Sequence, residues 1–200
     1  MDDQGLLNRA RIGDAVALGQ LLESHRGYLR LLARQEIGRQ FRGKVGASDI
    51  VQDVFFSVYR QFPNFQGTEM PQFEKWLQTI LAGTLANMVR HYRGTQARDL
   101  NLERAMVARF DQSTCGLHQL AIDPRSSPSQ HAAGREMTRL VAEALTLLPD
   151  DYQEVLTLRH LEGLTFPQIA EQLGRSVDSV EKLWLRGIAK LRKQFVEEQL

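Results

Sequence analysis

Apolar residues recur along this chain at three- and four-residue intervals almost throughout. Leu6, Leu7, Ala10, Ala17, Leu18, Leu21 and Leu22, then Leu29, Leu31 and Leu32, fall on helical faces, and no alternating run is long enough for a strand. The pattern predicts an all-α fold. Ser48 is placed to cap a helix from Asp49 to about Phe62, with Ile50, Val51, Val54, Phe55 and Val58 as its buried stripe and Pro63 ending it. The polar face of that helix holds Asp49, Gln52 and Asp53. A polar loop from Pro63 to Pro71 contains Phe65 and Met70, apolar side chains where solvent is expected. A further helix is predicted from Gln72 to about Arg93, burying Phe73, Trp76, Leu77, Ile80, Leu81 and Leu85.

Periodicity weakens between about Gly94 and Ala133, and the stretch DPRSSPS at 123–129 suits neither helix nor strand. Residues 96–133 read as a flexible linker, in which Leu100, Ala105, Met106, Val107 and Phe110 allow one short helix. It divides a first helical domain, 1–95, from a second, 134–200. In the second, Met137, Leu140, Val141, Ala144, Leu145 and Leu148 keep helical spacing up to Pro149. Asp150 is placed to cap the next helix, with Gln153 three residues on, and that helix runs to Gly163. Thr165 and Gln168 form a capping box around Pro167, the helix they open ends at Gly174, and Ser176 caps another. Two helices joined by about three residues make a helix-turn-helix, whose second helix enters the DNA major groove. On a wheel, Val177, Val180, Trp184, Ile188 and Leu191 share one arc of that helix, while Ser179, Lys182, Arg186 and Lys193 share the opposite one.

Charge sharpens this picture only when read by segment. The 200 residues carry 25 Lys and Arg against 24 Asp and Glu, yet 135–174 has net charge −4 and 175–193 has +4. In the first domain, residues 60–93 mix Phe62, Phe65, Phe73, Trp76 and Tyr92 with Arg60, Lys75, Arg90 and Arg93, a combination suited to single-stranded nucleic acid. Phe73 and Trp76 also fit the buried stripe, and Phe65 in its polar loop fits packing less well. Catalytic patterns are sparse: the five histidines form no HExxH pair, no phosphate-binding glycine loop is present, and Cys115 sits in the linker without an evident base. Asp49 and Asp53 lie one turn apart without further ligands at metal spacing, so neither an enzyme nor a metal or other cofactor is expected. No apolar run spans a bilayer, and the opening MDDQGLLNRARIGD lacks a signal-peptide core, so the chain reads as cytoplasmic, without membrane insertion.

Four stretches carry a family resemblance: LLNRARIGDAVA at 6–17, DIVQDVF at 49–55, FEKWLQTILA at 73–82 and LTFPQIAEQLG at 164–174. In this order they resemble the extracytoplasmic-function (ECF) sigma factors, two-domain promoter-specificity subunits of bacterial RNA polymerase. The resemblance implies that 1–95 is sigma region 2 and 134–200 sigma region 4. The face of Asp49, Gln52 and Asp53 would dock on the clamp helices of the core polymerase's largest subunit. Phe65 and its loop to Gln72, with Asn87, Arg90, Tyr92 and Arg93, would read and melt the minus-ten element of promoter DNA. The helix-turn-helix would bind the minus-thirty-five duplex, with contacts expected from Arg175, Ser176, Ser179, Lys182 and Arg186. An anti-sigma factor is a further partner that the resemblance admits. Gly83 stands where the family commonly has an asparagine, and Glu181 and Leu183 where it is usually basic. The alternative function is a stand-alone helix-turn-helix regulator that binds operator duplex without polymerase.

Overall fold

The computed structural model describes residues 2–40, 46–93, 99–121 and 131–197. They are helical with short turns, and no strand occurs among them. The chain divides into two compact units, Met1–Phe110 and Asp111–Leu200.

The first unit opens with α1 (Asp3–Arg11) and α2 (Ala15–Ser24), each with an aspartate at its N-cap. Asp14 accepts the Ala17 amide at 2.9 Å, and this bond, with help from Arg9, holds the Asp14 carboxyl below its ordinary pKa. The unit continues with α3 (Arg26–Gln40), α4 (Ala47–Gln61) and α5 (Met70–Arg93). α3 packs on both α4 and α5, and Leu7, Leu21, Leu29, Leu32, Val54, Phe73 and Leu81 are fully buried between these helices. In α4, Ile50, Val51, Val54 and Val58 face inward as expected. Phe55 is only half-buried and instead takes the Arg26 guanidinium over its ring, 4.8 Å from the centroid.

Several boundaries differ from the sequence expectation, among them the start of α5, which is Met70 and not Gln72. α4 begins before Ser48: Gly46 is its N-cap, and the Gly46 carbonyl accepts the Asp49 and Ile50 amides. Ser48 therefore lies inside the first turn, and Asp49 sits where the helix dipole favours a carboxylate. Another difference is in the stretch read as a linker, where α6 (Leu100–Ala121) runs for 22 residues. Met106 and Phe110 are buried in the first unit, one turn apart, and Arg109 between them grips Glu36 of α3 through two bonds of 2.6 and 2.8 Å. Leu100 is half exposed and Ala105 exposed, so the anchoring face is narrower than the five apolar positions suggested. The DPRSSPS stretch lies outside the described residues.

In the second unit, α7 (His131–Thr146) is followed by α8 (Asp150–Leu156), which continues as a π-helical turn, Thr157–Leu161. The N-cap of α8 is Pro149, not Asp150; its carbonyl accepts the Tyr152 and Gln153 amides, and Asp150 falls in the first turn. Gly116 of α6 lies so close to the His160 carbonyl that a Cβ there would overlap it. Then follow α9 (Phe166–Leu173) and α10 (Val177–Glu197), packed around Val155, Leu158, Ile169, Ala170 and Val180.

Candidate nucleic-acid interface

The turn between α9 and α10 is built by local chemistry. Gln168 Oε1 accepts from both the amide and the hydroxyl of Thr165, at 2.9 and 2.8 Å, closing the start of α9. At its end Gly174 adopts φ +63°, which costs a glycine nothing, and the Arg175 amide reaches back to the Ala170 carbonyl at 2.9 Å. Ser176 Oγ then accepts the Ser179 amide at 3.2 Å and starts α10. Three residues thus turn the chain between two helices.

Behind α10 the contacts are specific. Trp184 Nε1 donates to His160 Nε2 at 2.9 Å, and Phe166 meets the Trp184 ring edge to face at 5.7 Å. That bond requires an unprotonated His160 Nε2, and burial, reinforced by neighbouring Arg159, holds the imidazole pKa down at about 4. Arg159 itself donates to the Leu164 carbonyl and lies over Phe166, so it supports the scaffold.

On the outer side Arg175, Ser176, Lys182 and Arg186 are exposed, and Ser179 is half-buried. Glu181 is exposed as well, whereas Leu183 packs partly against the core cluster. Two of the cations are internally paired: Arg175 with Asp151 at 2.9 Å and Lys182 with Asp178 at 2.7 Å. Such exposed pairs contribute at most about 1 kcal/mol, so phosphate can replace the carboxylate at little cost.

In the first unit, Asp49, Gln52 and Asp53 are all exposed on one face of α4. The structure adds Phe56, 65% exposed and one turn beyond Gln52 and Asp53 on that face. The signal was present in the sequence, since of the adjacent Phe55 and Phe56 only one can turn inward.

The polar loop ahead of α5 is ordered by aromatic and amide contacts. Phe65 is half-buried, 4.9 Å from Trp76 and 5.8 Å from both Phe62 and Phe73. Its ring therefore belongs to an aromatic cluster and does not stand in solvent as the loop's polarity suggested. Gly67 covers it so closely that a Cβ would overlap the Phe65 ring. Gln72 accepts the Thr68 and Glu69 amides at 2.7 and 3.2 Å, and Gln4 of α1 bonds to the Thr68 carbonyl and the Met70 amide. Neither glutamine was visible as a loop clamp from sequence.

At the other end of α5, Asn87 and Tyr92 are exposed and Arg90 is half-buried. Arg93 closes the helix, and its side chain lies outside the described residues. From Met70 to Asn87 the helix rises about 25 Å, so the loop and the Asn87 to Tyr92 segment form separate contact points. Among the described residues no three His, Cys, Asp or Glu gather as a metal site, and no helix is long and apolar enough to cross a membrane.

Family models and named relatives agree. Residues 21–95 match the family model for sigma-70 region 2, and residues 138–191 that for sigma-70 region 4. A protein named ECF RNA polymerase sigma-E factor from Haemophilus influenzae is 28% identical over 180 residues, covering 90% of this chain and 88% of its own. The protein of the same name from Escherichia coli K12 is 27% identical over 181 residues, covering 90% and 87%. A solved structure of CnrH in complex with the cytosolic domain of CnrY aligns with 98% of this chain and 97% of its own, at 26% identity and a TM-score of 0.34.

Proposed function

Because the chain belongs to the extracytoplasmic-function group of the sigma-70 family, which brings core RNA polymerase to promoters to start transcription, we propose how its two units divide that work. The α4 face of Asp49, Gln52, Asp53 and Phe56 docks on the core enzyme. Two carboxylates around an amide and a protruding ring suit a basic groove with an apolar pocket. The loop from Phe65 to Glu69 and the Asn87 to Arg93 segment hold the displaced minus-ten strand, and α10 reads the minus-thirty-five duplex through Arg175, Ser176, Ser179, Lys182 and Arg186.

The observation that carries this reading is the capped three-residue turn between α9 and α10, which leaves one edge of α10 basic and exposed while Val180 and Leu191 are buried. Extruding a promoter base costs a few kcal/mol, which capture of the melted strand by the first unit offsets. Neither DNA contact needs high affinity alone, since attachment to one polymerase supplies the effective concentration for the other. The chemistry of RNA synthesis stays with the polymerase, in the cytoplasm, and an anti-sigma factor would act by covering these faces.

The test is transcription from a pool of randomised duplex fragments by core polymerase, with and without the protein. Transcripts that require the protein and share two sequence elements at fixed spacing support the reading. Binding to symmetric half-sites with no effect on transcription start would favour the stand-alone regulator.

A further inference from the structure

Gln4 is an α1 residue, distant in sequence from every element assigned to DNA, yet its side-chain amide makes two bonds to the minus-ten loop. Its Nε2 donates to the Thr68 carbonyl at 2.8 Å and to Asn8 Oδ1 at 3.1 Å, and its Oε1 accepts the Met70 amide at 3.2 Å. One primary amide thus mimics a neighbouring peptide group, taking the carbonyl before Glu69 and the amide after it. α1 holds Gln4 in place, because Leu6 and Leu7 are buried and Asp2 caps the helix.

The loop has few bonds of its own. Phe65 donates to the Phe62 carbonyl at 2.9 Å, and Gln72 of α5 collects the Thr68 and Glu69 amides. Gln72 and Gln4 therefore meet at Thr68 from two different helices, Gln72 holding Glu69 as well and Gln4 Met70, while Asn64, Gln66 and Thr68 remain exposed along the loop. We propose that Gln4 is a positioning residue for minus-ten recognition: it touches no DNA and fixes the loop backbone that captures the melted strand. The inference rests on the assignment of this loop to minus-ten capture. A loop set in its bound shape before contact gives up less conformational freedom on binding, and that saving appears as affinity and as discrimination between bases.

The experiment uses holoenzyme reconstituted from core polymerase and the full chain. The probe is a fork-junction DNA, taken from a promoter selected by the wild-type holoenzyme, with its minus-ten non-template strand unpaired. A fully paired minus-thirty-five fragment serves as the comparison probe. Gln4→Leu is expected to weaken fork binding about tenfold, the loss of two backbone-directed bonds, and to flatten the preference among single-base changes. Affinity for the minus-thirty-five fragment and for core polymerase stays within about twofold. Asn8→Ala, which removes the Gln4 side-chain bond that does not reach the loop, leaves fork binding unchanged. Amide exchange at Met70 speeds up in Gln4→Leu and not in Asn8→Ala. Equal losses on both DNAs, equal losses in both variants, or unchanged fork discrimination with accelerated Met70 exchange would overturn the proposal. A wild-type holoenzyme that binds paired and unpaired minus-ten DNA alike would instead overturn the loop assignment itself.

Discussion

Replacing Glu36 with glutamine isolates the contact that turns an expected tether into a docked helix. Glu36 is 5% exposed and takes both arms of the Arg109 guanidinium, whose side chain is 33% exposed. The hydrogen bonds to Glu36 raise the Arg109 pKa above its ordinary value, so the guanidinium keeps its charge. With charge centres about 4 Å apart and an effective dielectric near 20, the attraction is about 4 kcal/mol, most of it offset by the cost of drying the carboxylate. Breaking a fully buried pair costs about 3–5 kcal/mol; here Arg109 can turn its head to water, and the expected loss is about 1–2 kcal/mol. The loss is local, because Met106 and Phe110 flank Arg109 on the same helix. Urea unfolding of the full chain and amide exchange across 103–110 measure it, and exchange there should accelerate about five- to thirtyfold. The double variant Glu36→Met with Arg109→Met should recover most of the stability, since it leaves no charge unpaired. If Glu36→Gln changes stability by less than about 0.3 kcal/mol and leaves exchange untouched, the pair does not hold α6 and the electrostatic reasoning is wrong.

Gly67→Ala should push the Phe65 ring off Trp76, cost about 1–3 kcal/mol by overpacking and weaken fork-DNA binding, readable as a lower melting temperature and a raised Kd. His160 titrates at about 4 when folded against 6.5 when unfolded, so the unfolded chain binds its proton first as pH falls. The His160 contribution is therefore complete above pH 6.5 and lost between 6.5 and 4, a drop of about 1–2 kcal/mol once the ring's partial exposure is allowed for. Urea midpoints of wild type and His160→Gln across that window should differ in slope. Arg186→Ala should weaken binding of the minus-thirty-five duplex and, if Arg186 meets phosphate, lower the slope of log affinity against log salt by about 1.

The helix-turn-helix was legible because its signals are local. Thr165 with Gln168, Gly174 and Ser176 each act within four residues of themselves, and all four make the bonds or the turn that their positions announced. The exposed α4 face followed from simple periodicity in the same way. The caps of α4 and α8 did not, because backbone carbonyls of Gly46 and Pro149 took the role that side chains were expected to fill. What stayed hidden depends on residues far apart in the chain. The Arg109 to Glu36 pair spans 73 positions and Gln4 to Thr68 spans 64, and neither partner looks unusual until the helices are packed. The packing of Phe65 stayed hidden for the same reason: a lone aromatic in a polar loop looks exposed until Phe62, Phe73 and Trp76 are brought around it.

The account stands most directly on attachment to RNA polymerase. Purified protein mixed with bacterial core polymerase should copurify at one to one. Asp53→Arg, a charge reversal at an exposed position of α4, should abolish that complex while its helical circular dichroism and its affinity for minus-thirty-five duplex stay as in the wild type. A folded wild type that fails to bind core polymerase, or an Asp53→Arg variant that binds it as well as the wild type, would contradict the proposed docking face.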